Sequence, residues 1–140
     1  MKFILFLLPS LLIVTPIFAY KYAKKNYPKR RHLITGIMLG LIIYPFSFSL
    51  YGFYYIPYIG LIPGIIGLML LLFHSGPGYQ LAIYLGLLKP ATVVEGAGQI
   101  LLLIVDGIIW GAIYGLVGFI IDTILQRNNI NKELHNEAVP

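Results

Sequence analysis

Apolar residues run almost unbroken through four stretches of this chain, at about 3–20, 33–50, 58–74 and 99–124, with short intervals rich in polar residues, glycine or proline between them. Each is close to the ~20 residues that a helix needs to cross a bilayer. A fifth apolar run, at 79–88, would reach ~15 Å as a helix, half that thickness. The pattern predicts an all-α, polytopic membrane bundle of four transmembrane helices plus one short interfacial or re-entrant helix. It forms a single domain over 1–126, followed by a polar tail at 127–140.

The most informative stretch lies between Gln99 and Gln126, where ILLLIVDGIIWGAIYGLVGFIIDTIL is interrupted only by Asp106 and Asp122. On a helical wheel Gly107, Gly111, Gly115 and Gly118 fall within roughly 80° of one another, and Asp122 continues that face. Glu95, Gln99 and Asp106 form a second, narrower polar stripe. Small residues on one side of a span let another helix approach closely. The row therefore predicts a close neighbour, in the same chain, a second copy or another protein. Gly36 and Gly40 repeat the spacing in the second span.

The remaining segments read as follows. Residues 3–20 form a retained helix, since Ala19 has Ile17 two positions before it and a basic cluster after it, a poor cleavage site. Pro9 and Pro16 should bend it. A basic loop at 21–32 holds Lys21, Lys24, Lys25, Lys29, Arg30 and Arg31, and His32 reads as a surface residue at the next helix entrance. The aromatic run from Tyr51 to Tyr58 suits an outer interfacial turn at headgroup level. Two glycines and a proline within His74–Gly78 predict a break. The following run then either lies in the interface or forms half of a discontinuous span, of the kind that exposes backbone groups to an ion or substrate. The Asn-rich tail has too few apolar residues to fold alone and is expected to be frayed or docked on a partner.

Composition settles the class. Of 140 residues, 59% are hydrophobic and 11% charged, against about 25% charged in a soluble domain. The net charge of +5 is no nucleic-acid signature, because six of the ten Lys and Arg residues sit between Lys21 and Arg31. Such clusters hold a loop on the cytoplasmic side and can also grip anionic lipid heads. The expected location is a cell membrane, the bacterial cytoplasmic one. Cysteine is absent, which excludes disulfides and thiolate chemistry.

Candidate chemistry centres on Asp106, because an acid within a span costs at least ~2.5 kcal/mol and tends to face protein or water. With Glu95 and Gln99, joined by His74 if the third span is discontinuous, it outlines a proton or cation path. The plainer role is a packing anchor, protonated at neutral pH or hydrogen-bonded to a tyrosine such as Tyr44 or to a backbone carbonyl in the next helix. No H-E-x-x-H, G-x-S-x-G or phosphate loop is present, so no catalytic residue is assigned and no enzyme is expected. His74, Asp106 and Glu95 are of ligand type but lack a recognised metal spacing, and no metal or cofactor is expected. The leading functional expectation is a small non-catalytic membrane protein that packs through the glycine face of its last span, as an accessory subunit or a homo-oligomer. Its partners would be lipid and other transmembrane helices. The alternative is a small proton- or ion-coupled carrier or channel built on Asp106, Glu95, Gln99 and His74.

Overall fold

Unbroken apolar sequence in helical register gives four long helices. In the computed structural model, which describes residues 2–89 and 97–137 (side chains at 11–89 and 98–131), these are α1 (Lys2–Asn26), α2 (Arg31–Tyr51), α3 (Leu61–Tyr84) and α4 (Ala97–Glu137). No strand occurs among the described residues. Among the described residues, three stretches are long and apolar enough to cross a membrane, Pro28–Tyr55, Leu61–Tyr84 and Gly98–Asn131. The protein is therefore read as membrane-associated. Large apolar side chains face outward on all of them, including Leu41, Met69, Leu72, Ile104 and Leu116. That distribution suits a lipid surround, in which outward-facing hydrophobes carry no penalty.

The basic segment is helical rather than a loop. α1 runs through Lys21, Lys24 and Lys25 to Asn26, with Lys24 and Lys25 in its last turn, where cations are favoured by the helix dipole. A single 3₁₀ turn, Pro28–Arg30, then leads directly into α2. The connection at the other end of α2 is longer. A 3₁₀ turn at Gly52–Tyr55 clusters the Tyr51, Tyr54 and Tyr55 rings at 6.0–6.3 Å between centroids. Tyr58 follows at φ 67° and fully exposed.

The break predicted at His74–Gly78 does not occur, and no separate helix spans 79–88. α3 continues through Pro77 to Tyr84 and stops at a different signal. Gly86 adopts φ +71°, the Leu87 N–H donates to the Ala82 carbonyl, and the Gly86 N–H donates to Ile83, both at 2.9 Å. This is a Schellman ending, in which a left-handed glycine lets the final N–H groups return to the last turn. The third apolar helix is accordingly Leu61–Tyr84 rather than 58–74.

α4 is 41 residues long, ~60 Å at 1.5 Å per residue. It runs on through the segment expected to fray, as far as Glu137. Propagation from an anchored helix adds one hydrogen bond per residue, and no glycine or proline intervenes before Pro140.

α2 is the central element, packed on α1, α3 and, most extensively, α4. The core lies where α2, α3 and α4 meet, with Tyr44, Ala82 and Leu102 buried together and Leu71, Tyr79 and Leu88 packed around them.

Candidate functional site

α4 presents two adjacent faces to its own chain. Asp106, Trp110 and Tyr114 recur every four residues and share one face, and all three meet α3 around its proline turn. A proline inside a helix removes one N–H and crowds the carbonyl four residues before it, so that turn is poorly paired. Here α4 supplies the partners. The Gly78 N–H donates to Asp106 Oδ1 at 2.8 Å, and Trp110 Nε1–H donates to the His74 carbonyl at 2.7 Å. A Cβ at Gly78 would collide with the Asp106 carboxylate, so the glycine beside Pro77 admits the acid rather than ending the helix.

His74 is held within the same contact. Its Nδ1–H donates to the Leu70 carbonyl at 2.8 Å, and in that tautomer Nε2 accepts from the Tyr114 hydroxyl, also at 2.8 Å. The His74 and Trp110 ring centroids are 4.6 Å apart. Asp106 is 0% exposed and His74 3%. Only Asp106 Oδ2 and Ser49 Oγ are buried without a hydrogen-bond partner among the described residues.

The second face is the glycine row, and the neighbour it meets is α2 of the same chain. A Cβ at Gly36 would strike the Tyr114 backbone, one at Gly40 the Trp110 backbone, and one at Gly118 the His32 backbone. At these three points backbone lies on backbone. Gly107 and Gly111 are looser, since a Cβ there would sit 3.4 Å from the Leu41 carbonyl and 3.5 Å from that of Ile37. Pro45 leaves the Leu41 carbonyl without its usual helical N–H. At Gly115 the nearest atom is Ile37 Cγ1, at 2.7 Å. The row expected to serve a partner is thus covered by α2 and is not a free surface.

At the far end of the same face, Asp122 caps α2 from another helix. Its carboxylate accepts the His32 N–H at 3.1 Å and the Leu33 N–H at 3.0 Å, and His32 Nδ1 lies 2.7 Å from Oδ1. These are first-turn N–H groups, which no intrahelical carbonyl can satisfy. Arg30, the residue at the cap position, makes no side-chain bond to them. Gln126 extends the contact by donating to the Lys29 carbonyl at 2.7 Å. His32 is therefore a half-buried structural partner rather than a plain surface residue.

Comparison of the chain with known protein families, with curated proteins and with solved structures finds no match. The candidate site therefore rests on geometry alone.

Of the residues assigned to an intramembrane polar path, Asp106 and His74 come to one turn of α3, each bonded to other groups. Asp106 accepts the Gly78 N–H rather than bonding Tyr44 or a backbone carbonyl. Gln99 is half-buried near the start of α4, and Glu95 lies outside the described residues. No group of three His, Cys, Asp or Glu comes together as a metal site among the described residues. Lys21, Lys24, Lys25, Lys29 and Arg30 are exposed. The Arg31 guanidinium carbon lies 6.0 Å from the centroid of the Tyr20 ring. Trp110 and Tyr114 belong to this contact as well, though the sequence alone did not single them out. Their spacing of four and eight from Asp106 was the available signal.

Proposed function

We propose that this chain is a small, non-catalytic integral membrane protein of four spans, with α1 joining the three long apolar helices, that acts by associating with other membrane components. The membrane expected is the bacterial cytoplasmic one, with the Lys21–Arg31 segment on the cytoplasmic side. The association would be that of an accessory subunit or of a homo-oligomer. Since α2 covers the glycine face, contacts with a partner would use the outward apolar faces.

The observation that carries this reading is how the intramembrane polar groups are used. Asp106, His74, Trp110 and Tyr114 bond backbone and side chains of α3 and α4. Two surface clefts among the described residues lie away from them, one between the basic turn and α4 and one between α1 and α2. Gentle extraction followed by size measurement and identification of co-purifying chains tests the reading. A defined complex or oligomer is expected, and a lone monomer with robust ion flux would refute it.

A proton- or ion-coupled carrier or channel, using Asp106 with Glu95, Gln99 and His74, is the second reading. It is favoured by Asp106 Oδ2, a carboxylate oxygen buried without a hydrogen-bond partner among the described residues, beside a helix that contains a proline. In reconstituted vesicles that reading requires flux that Asp106→Asn abolishes while the fold persists. The non-catalytic reading expects none above empty vesicles.

A further inference from the structure

The two sides of the cleft between the basic turn and α4 differ in chemistry. The cleft has a volume of about 520 Å³, and its walls include Lys29, Arg31, Asn129, Leu125 and Ile130. Asp122 also lines it, but its carboxylate is engaged by the N–H groups of His32 and Leu33 and by the His32 ring. Neither Lys29 nor Arg31 has an acidic partner, the His32–Asp122 contact being the one ion pair found among the described residues. Two cations and the amides of Gln126 and Asn129 thus border this space, neither cation having an acidic partner among the described residues.

Depth along α4 is set by its register on α2. Gly111 and Gly118 lie against Ile37 and His32, and the apolar run of α4 ends at Leu125, followed by Gln126, Arg127, Asn128 and Asn129, so the helix passes toward the polar interface at that end. Leu125 is then nearer the hydrocarbon, and Asn129 and Lys29 are further out, in the polar interface. An anionic headgroup has the same order of groups, acyl ester region inward and phosphate outward.

We infer that this cleft binds one anionic phospholipid, its phosphate diester between Lys29 and Arg31, a headgroup hydroxyl toward Asn129, and the start of an acyl chain against Leu125. Free phosphate shares the charged part of this chemistry but has no use for the apolar wall. Lysines and arginines at an anionic membrane surface attract such lipids without any cleft, so the test must separate a site from a charged patch.

Dioctanoyl phosphatidylglycerol, dioctanoyl phosphatidylcholine and inorganic phosphate are each titrated onto the full chain in a neutral detergent, and lipid adducts are counted by native mass spectrometry. We expect phosphatidylglycerol to bind at least about tenfold more tightly than phosphatidylcholine, with phosphate unable to displace it. Lys29→Gln with Arg31→Gln should remove the preference. Lys24→Gln with Lys25→Gln changes the charge equally outside the cleft and should retain it. Because Arg31 opens α2, a photoactivatable phosphatidylglycerol on the unaltered chain provides a second reading, with cross-links expected between 122 and 130. Equal binding of the two lipids, displacement by phosphate, equal loss in both double variants, or cross-links spread evenly along all four helices would each overturn the site.

Discussion

The two faces of α4 hold their neighbours by opposite means. Toward α2, short of the Asp122 cap at its end, the contact depends on missing side chains, with Gly36, Gly40 and Gly118 bringing backbone against backbone. Toward α3 it depends on side chains that reach across, with Asp106 and Trp110 bonding a backbone N–H and a carbonyl of the proline-containing turn. In lipid neither face gains from a hydrophobic drive between helices, so packing and hydrogen bonding decide. The glycine face tolerates no added atom at its crossing points, whereas the polar face tolerates changes that preserve an acceptor or a donor. The chain places its steric constraint on the pair with the most extensive contact, α2 and α4, and its polar constraint where a helix is weakest.

That difference orders the expected effects of substitution. Gly40→Ala should be the most damaging, because the added carbon has only the Trp110 backbone to displace; we expect a loss of about 3 kcal/mol, read as a large fall in the thermal midpoint in detergent. Asp106→Ala should follow at about 2 kcal/mol, the cost of leaving a buried N–H without a partner. Asp106→Asn keeps an oxygen facing Gly78 and should recover most of that, and equal damage from both would mean the contact is not with the N–H. Asp122→Ala strips the cap from α2 and should cost about 1 kcal/mol, with faster amide exchange at His32 and Leu33. Smallest of all, Gly111→Ala should fall within about 0.5 kcal/mol of the parent, because its new carbon would meet only ordinary contacts. If Gly111→Ala were as harmful as Gly40→Ala, the crossing point would lie elsewhere along the row.

Much of this arrangement is local and was visible in the residues themselves. Apolar runs of span length, the row from Gly107 to Gly118 and the isolated Asp106 are all properties of one segment. What escaped is pairing across distance. Pro77 with Gly76 and Gly78 reads as a break because the local cost is plain, while the groups that support the turn sit 28 and 36 positions away, on Asp106 and Trp110. His32 and Asp122 are 90 positions apart, and nothing near either announces the other. The spacing of the glycines likewise does not reveal which ones press against the neighbouring backbone. Gly36, Gly40 and Gly118 do, and Gly107 and Gly111 do not. The true stop of α3, at Gly86, carries a local signal, but the earlier Gly-Pro-Gly run outweighed it.

The claim on which the rest depends is that Asp106 serves α3 by accepting the Gly78 N–H. Amide hydrogen exchange at Gly78, followed in the intact protein and in Asp106→Ala, reads that bond directly. Strong protection in the parent that is lost at Gly78, with the α2–α4 contact still protected, is the predicted result. Unchanged protection of Gly78 without the carboxylate would contradict it.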